Sequence, residues 1–315
     1  MRIIDKLDVN EYELDARLLD MLLTDKTTGD TIRWCTDGYR SLGDGYAAYD
    51  MMTRDSVTAG SAAVVMPRAA KPVEEQLRRT RVNAEVFTPA WVCNVQNNAV
   101  DDAWFGRPFV FNIPRGQTWI PTRRRVVFND GRTWTGYVDE RVLEVTCGEA
   151  PYLTSRYDAV TGSLIPVRER IGLLDRKLRV VAENAADDAE WLKWSLRAFE
   201  SSYGYDYQGD SVLLARENLL ATYCDAFAER FGRRPTAAEL RRVANVIAWN
   251  IWQMDGSDST VPYAFTEVPK PHSAIGLFDA QLDEPATMRV PVKAKVYDWR
   301  ARRPETFEST MTGRN

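Results

Sequence analysis

The stretch that decides the fold is YVDERVLEVTCG (137–148), an apolar, β-branched run that stops at Gly148. It predicts a strand closed by a glycine turn. Working downstream, residues 158–183 read as an insertion, and 185–201 carry Trp191, Leu192, Leu196 and Phe199 at helical spacing. YGYDYQG (203–209) predicts a second strand and turn. Residues 210–231 then place Val212, Ala215, Leu219, Tyr223 and Phe227 on one helical face, with Gly232 as the stop. Thr236 and Glu239 form a T-x-x-E capping box behind Pro235 and open a helix through Leu240, Val243 and Ile247. WNIWQMDG (249–256) supplies a third short strand and turn. Strands alternating with helices predict an α/β fold, a parallel sheet flanked by helices. Ligands of such sheets bind beyond the carboxyl ends of the strands.

Upstream of residue 137 the text is less regular. Leu14, Leu18, Met21 and Leu22 recur at helical spacing, and SAAVVMPRAAKP (61–72) reads as a connection. The expected organisation is an N-terminal α+β extension over 1–72 and a main domain over 73–315, with the insertion at about 158–183 inside it. VEEQLRRTR (73–81) predicts a helix leading into AEVFTPAWVCNVQNN (84–98), and 105–135 reads as irregular and aromatic. No repeat period is visible, which excludes solenoids and propellers.

Composition narrows the function classes. The 315 residues carry 41 Lys+Arg against 45 Asp+Glu, a net charge of −4. That balance is poor for an autonomous DNA binder, so Arg78, Arg79, Arg81 and Arg123–Arg125 read as solvated surface. The one histidine, His272, excludes a His-rich zinc centre and any mechanism needing two histidines. No metal site is expected. Cys35, Cys93, Cys147 and Cys224 show no C-x-x-C spacing, and no apolar run approaches the ~18 residues of a membrane span. A reduced, cytoplasmic protein without a membrane partner is the expectation.

Three turns follow the three strands: Glu144 to Leu153, Gly204 to Asp206, and Asn250 to Gly256. A glycine in the first lets backbone approach a ligand closely. A carboxylate at the end of the second accepts hydrogen bonds from ribose hydroxyls, and one at the third accepts from an exocyclic amine on adenine. Together they make a nucleoside-binding edge. Cys147 has no neighbouring base and reads as a small buried residue, and Trp249 and Trp252 read as buried against the sheet.

These residues resemble the amino-methyltransferases of restriction–modification systems, which methylate the adenine amino group of DNA using S-adenosyl-L-methionine. Phe87-Thr88-Pro89 looks like the family's F-T-P motif. Glu144 to Leu153 is similar to its D-P-x-C-G-S-G-x-F-L loop, with Cys147, Gly148 and Tyr152-Leu153 in matching places. GYDYQGDSVLLARENLL (204–220) resembles the segment bearing the ribose-binding acid, here Asp206, and NIWQMDG (250–256) resembles N-I-x-x-G-D, with Asp255 in the adenine-contact position. Across most of the chain the text resembles bacterial restriction endonuclease subunit M proteins.

The resemblance implies a Rossmann-like methyltransferase sheet. It also implies cofactor contacts from Phe87, Thr88, Pro89, Glu144, Thr146, Cys147, Gly148, Tyr152, Asp206 and Asp255. The chain departs from the pattern at Glu149-Ala150, where the family has Ser-Gly, and at Met254, where it has Gly. The catalytic tetrapeptide, Asn or Asp followed by Pro-Pro and an aromatic, is missing. The nearest text is Thr260-Val-Pro262-Tyr263, which lacks the polar first residue. Catalytic residues therefore stay unassigned. The implied function is the cofactor-binding subunit of a split DNA adenine methyltransferase in restriction–modification or phage defence. A second polypeptide would supply the catalytic motif and target recognition, and DNA would be met through the complex. Two alternatives stand beside it: a non-catalytic pseudo-methyltransferase that scaffolds a defence complex, and a complete methyltransferase for a small molecule or protein.

Overall fold

The computed structural model describes residues 15–58, 64–83, 88–270 and 287–312. Phe87, His272 and Leu14 lie outside them. Helix α1 (Ala16–Leu23) is capped by the Asp15 side chain and buries Leu18, Leu19, Leu22 and Leu23. The chain then runs through isolated bridges, Thr24 to Thr31 and Arg33 to Met51, before α2 (Val73–Asn83) and α3 (Ala90–Phe105). A hairpin of β1 (Asn112–Arg115) and β2 (Thr118–Pro121) lies within the stretch expected to be irregular.

Helix α4 (Trp134–Asp139) corrects the first expected strand. Thr133 caps it by accepting from the Gly136 N–H at 3.0 Å, and the Tyr137 ring is buried among Trp104, Phe105 and Phe111. Extended structure starts only at β3 (Val142–Val145). After it come α5 (Leu173–Asn184), α6 (Asp188–Glu200), β4 (Ser202–Asp206), α7 (Gly209–Phe231), α8 (Ala237–Asn250) and β5 (Ile251–Gln253). The antiparallel pair β6 (Thr260–Pro269) and β7 (Thr287–Lys293) follows, then β8 (Lys295–Asp298) with β9 (Arg303–Thr306), and α9 (Phe307–Thr312).

Strands β3, β4 and β5 form one parallel sheet in that order, registered Val142 to Ser202, Val145 to Tyr205, and Asp206 to Gln253. The protein is thus mixed α/β with a three-stranded parallel sheet. Its crossovers are helical, as parallel pairing requires. The capping box at Thr236 and Glu239 forms, and Gly232 ends α7 in the left-handed region. Helix α7 is buried on nearly every side over its first four turns, so it is the centre of the core.

The segment read as an insertion contributes α5, which buries Leu174, Leu178, Val180 and Val181. Its sequence hides this because Asp175, Arg176 and Lys177 are buried too. Arg176 pairs with Asp101, and the Lys177 ammonium donates to the carbonyls of Glu140 and Ser201. The expected surface position of Arg79 is also corrected. It is 1% exposed and reaches Asp210 at 2.6 Å, whereas Arg78, Arg81 and Arg123–Arg125 are exposed as expected. Residues upstream of 72 are packed into the main core: Leu18, Trp34, Met52 and Val65 share a buried cluster with Val180, Leu213 and Ile247.

Candidate functional site

The turn after β3 is a tight, left-handed loop. Thr146 (φ 48°), Gly148 (φ 53°) and Ala150 (φ 61°) all have positive φ. The two non-glycine residues hold a conformation that costs ~1–2 kcal/mol each. Such strain persists only where the surroundings over-determine it, and here four hydrogen bonds do so. The Cys147 N–H donates to the Tyr205 carbonyl at 2.8 Å, and the Gly148 N–H donates to Asp206 Oδ2 at 2.9 Å. The two oxygens of Glu144 accept from the N–H groups of Tyr152 (3.2 Å) and Leu153 (3.0 Å). The first and second turns expected at the site therefore meet at Gly148 and Asp206.

Each expected residue except Phe87, which lies outside the described residues, has a definite place. Glu144 clasps its own loop from inside with no cation beside it among the described residues, and burial pushes its carboxyl up to about 8. Thr146 is exposed, while Cys147 is buried with its thiol pushed well above the usual range by burial and by Asp206 and Glu144. Asp206, 9% exposed, also accepts from the Gln208 N–H at 3.0 Å. Tyr152 is half-buried, donates its hydroxyl to Gln96, and lies beside Thr88. Pro89 is the N-cap of α3, and Thr88 before it adjoins Tyr152 of the first loop. Asp255 stands at the end of the third strand, where the following turn folds back as Asp255 N–H bonds the Thr260 carbonyl at 2.8 Å. Its Oδ1 accepts from the N–H and hydroxyl of Ser257 (2.9 and 2.6 Å).

Three features were not legible in the sequence. Glu149, at the first departure from the family loop, turns inward, accepting from the Arg68 N–H and the Tyr157 hydroxyl at 2.6 Å each. Asn218 of α7 donates to the Glu149 carbonyl at 3.0 Å, fixing the loop to the central helix. The crevice beside them, of about 10 Å³, is lined by Glu149, Thr154, Arg156, Tyr157 and Asn218. It has room for about one water molecule and none for a small-molecule ligand.

The third feature is a strap. Residues Arg33–Cys35 cross the ends of β4 and β5: the Gly209 N–H donates to the Trp34 carbonyl at 3.0 Å, and Gln253 exchanges hydrogen bonds with both backbone groups of Arg33. A Cβ on Gly209 would lie 2.0 Å from the Arg33 carbonyl oxygen, so only glycine lets the strap pass. Cys35 is left in the field of Asp206, Asp210 and Asp255 with its thiol pushed up to about 12, chiefly by burial. Thr146, Tyr207, Ser257, Asp258 and Tyr263 are exposed in the segments that follow the three strands.

Among the described residues no group of three or more His, Cys, Asp or Glu is placed to hold a metal ion, and no helix is long and apolar enough to cross a membrane. Comparison with protein-family models, curated proteins and solved structures returns no match to this chain.

Proposed function

We propose that this chain is the S-adenosylmethionine-binding subunit of a split DNA adenine methyltransferase, completed by a second polypeptide that carries the catalytic motif. The observation that carries the reading is an unfinished sheet. Strand β3 pairs with β4 on one side and with no described strand on the other. Val142 faces β4, its N–H bonded to the Ser201 carbonyl. The backbone groups of Leu143 and Val145 therefore point outward, and the two residues are 40% and 55% exposed. Parallel strands are ordinarily covered on both sides, and an open apolar edge is a template for another strand. A strand added there in parallel would end beside Thr146 and Gly148. That is also where the strand order would reverse, the position at which open α/β sheets bind their ligands.

In this reading Asp206 accepts from the ribose hydroxyls, using the second lone pair of each oxygen. Thr146, Gly148, Tyr152, Thr88 and Pro89 line the methionine arm, and Asp255 Oδ2 takes the adenine amine. The cofactor supplies the methyl group, and this chain binds and orients it. Titration calorimetry of S-adenosylmethionine tests the reading, with Asp206→Asn expected to lose about tenfold or more in affinity. The isolated chain transfers no methyl group to DNA, and robust transfer by it alone would overturn the split model.

The strap favours a second reading, a non-catalytic pseudo-methyltransferase that scaffolds a defence complex. It covers part of the edge with the protein's own backbone, and both Asp206 oxygens already accept backbone N–H groups. Absence of cofactor binding even with the partner chain present would make this the better account.

A further inference from the structure

The hairpin of β1 and β2 has two unlike faces. One is seated on the body of the protein: Asn112 Oδ1 accepts from Asn94 and Asn98 of α3, and the Trp119 indole donates to the Glu169 carbonyl at 2.8 Å. Alternation along the paired strands therefore sends Ile113 and Arg115 outward, with their partners Ile120 and Thr118. Ile113 and Ile120 face each other across the ladder and are 45% and 43% exposed. Only Gly116 and Gln117 join the strands, and Gly116 at φ 55° supplies the left-handed start that a two-residue hairpin needs. Arg115, Gln117 and Thr118 stand exposed at the tip of this narrow ribbon.

The charge around it is one-sided. Between Asp102 and Asp130 the chain has five arginines and no Asp or Glu, in a protein whose net charge is −4. Exposed arginines elsewhere, such as Arg54, Arg168, Arg233 and Arg300, pair with carboxylates. Among the described residues Arg115, Arg123 and Arg124 pair with none. Yet the backbone bearing the last two is clamped. The Thr122 N–H donates to the Phe111 carbonyl at 2.8 Å, Arg179 of α5 donates to the Arg124 carbonyl at 2.9 Å, and the Val126 N–H donates to Glu183 at 2.8 Å. A fixed backbone with outward guanidinium groups presents charge to a partner.

The ribbon's shape and side chains select that partner. An element that dips into a membrane leads with its apolar residues, but here the tip is polar and the two isoleucines lie behind it. Duplex DNA fits better. Two strands about 5 Å apart make a ribbon that the ~12 Å major groove admits. Arg, Gln and Thr are side chains that bond base edges there, and apolar side chains meet the thymine methyl. Arginine also suits phosphate, through its planar fork of donors.

We propose that the β1–β2 hairpin enters the major groove of duplex DNA, with Arg115, Gln117 and Thr118 contacting base edges and Arg123 and Arg124 holding phosphates. Its outward face, on the order of 10 Å long, covers roughly three or four base pairs. Target recognition then belongs to this chain, where the sequence resemblance gave it to the partner. The inference stands on the hairpin alone and needs no cofactor.

The test selects from a pool of short DNA duplexes with a randomised centre, using the full chain, and then measures the salt dependence of binding to the enriched duplex. Each phosphate held contributes about −0.9 to the slope of log K against log salt. Arg123→Gln with Arg124→Gln is therefore expected to make the slope shallower by about 2 and to weaken all duplexes alike. Arg115→Ala and Gln117→Ala are each expected to relax the preference at one base pair by about 5- to 150-fold, the ~1–3 kcal/mol of a bidentate base contact. All four positions are exposed, so melting temperatures should hold. Enrichment of no sequence overturns the inference, as does a preference that survives both alanine variants. Binding to phosphatidylserine vesicles without binding to DNA overturns it in favour of a membrane surface. A chain that enriches a sequence but binds no S-adenosylmethionine keeps the ribbon and loses the cofactor reading, and the reverse result does the opposite.

Discussion

Asp210 and Glu144 are both buried carboxylates near the carboxyl end of the parallel sheet, yet their surroundings are opposite. Burial alone would push Asp210 up. Lys71 at 3.2 Å, Arg79 at 2.6 Å and the Tyr39 hydroxyl at 2.8 Å overcome that and hold it well below the usual carboxylate range. Glu144 has two backbone N–H groups and no cation, and burial wins. Asp210 is therefore a permanently charged strut that ties residues 39, 71 and 79 to the start of α7. Glu144 is a latch on the candidate loop that changes charge near neutrality. Burial decides how strongly a group is perturbed, and the neighbours decide the direction.

The comparison can be broken most severely at the strut. Asp210→Ala leaves Lys71 and Arg79 buried without their common counter-ion and is expected to destabilise the fold by about 3–5 kcal/mol in urea unfolding. A loss under 1 kcal/mol would mean the cluster is not structural. The latch is next. A carboxyl raised from 4.5 to about 8 in the folded state contributes stability that is complete below pH 4.5 and is lost as pH rises through about 8. Relative to Glu144→Gln, which does not titrate, the parent chain should weaken between pH 4.5 and 7. The difference is on the order of 3 kcal/mol, at ~1.4 kcal/mol per pH unit. Parallel pH profiles for the two proteins would show that Glu144 does not titrate as its burial requires. Tyr39→Phe removes one hydrogen bond to a charged acceptor and should cost about 1.5–3 kcal/mol at pH 7, without changing the pH profile. The smallest effect is expected at Thr146→Gly, which relieves a left-handed residue and should raise stability by ~1 kcal/mol or less. A clear loss there would mean that the threonine side chain holds the loop.

The same contrast explains what was legible in the sequence. Strands β3, β4 and β5 and helices α7 and α8 were readable, because apolar periodicity, a capping box and Gly232 report on local structure alone. Helix α5 was not, since Asp175, Arg176 and Lys177 break its apolar stripe and their burial depends on Ser155, Asp101 and Ser201 elsewhere. Arg79 was misread for the same reason: distant partners, Asp210 and Gln208, make an interior arginine tolerable. At the site, the meeting of Gly148 with Asp206 follows from strand order and turn chemistry. The inward turn of Glu149 and the strap have no such local signature, because they are set by contacts with Arg68, Tyr157 and Gln253.

The strap also sets a schedule for folding. Arg33 is separated from Gln253 by 220 positions, and at ~5–20 residues per second a ribosome takes on the order of 10–40 s to cover that distance. Throughout that interval Trp34 already has its neighbours Tyr39 and Tyr46, but Arg33 lacks the Gln253 amide that fixes the strap. The strap, made early, is among the last described parts to settle, and a chaperone acting on this protein would find its first foothold there.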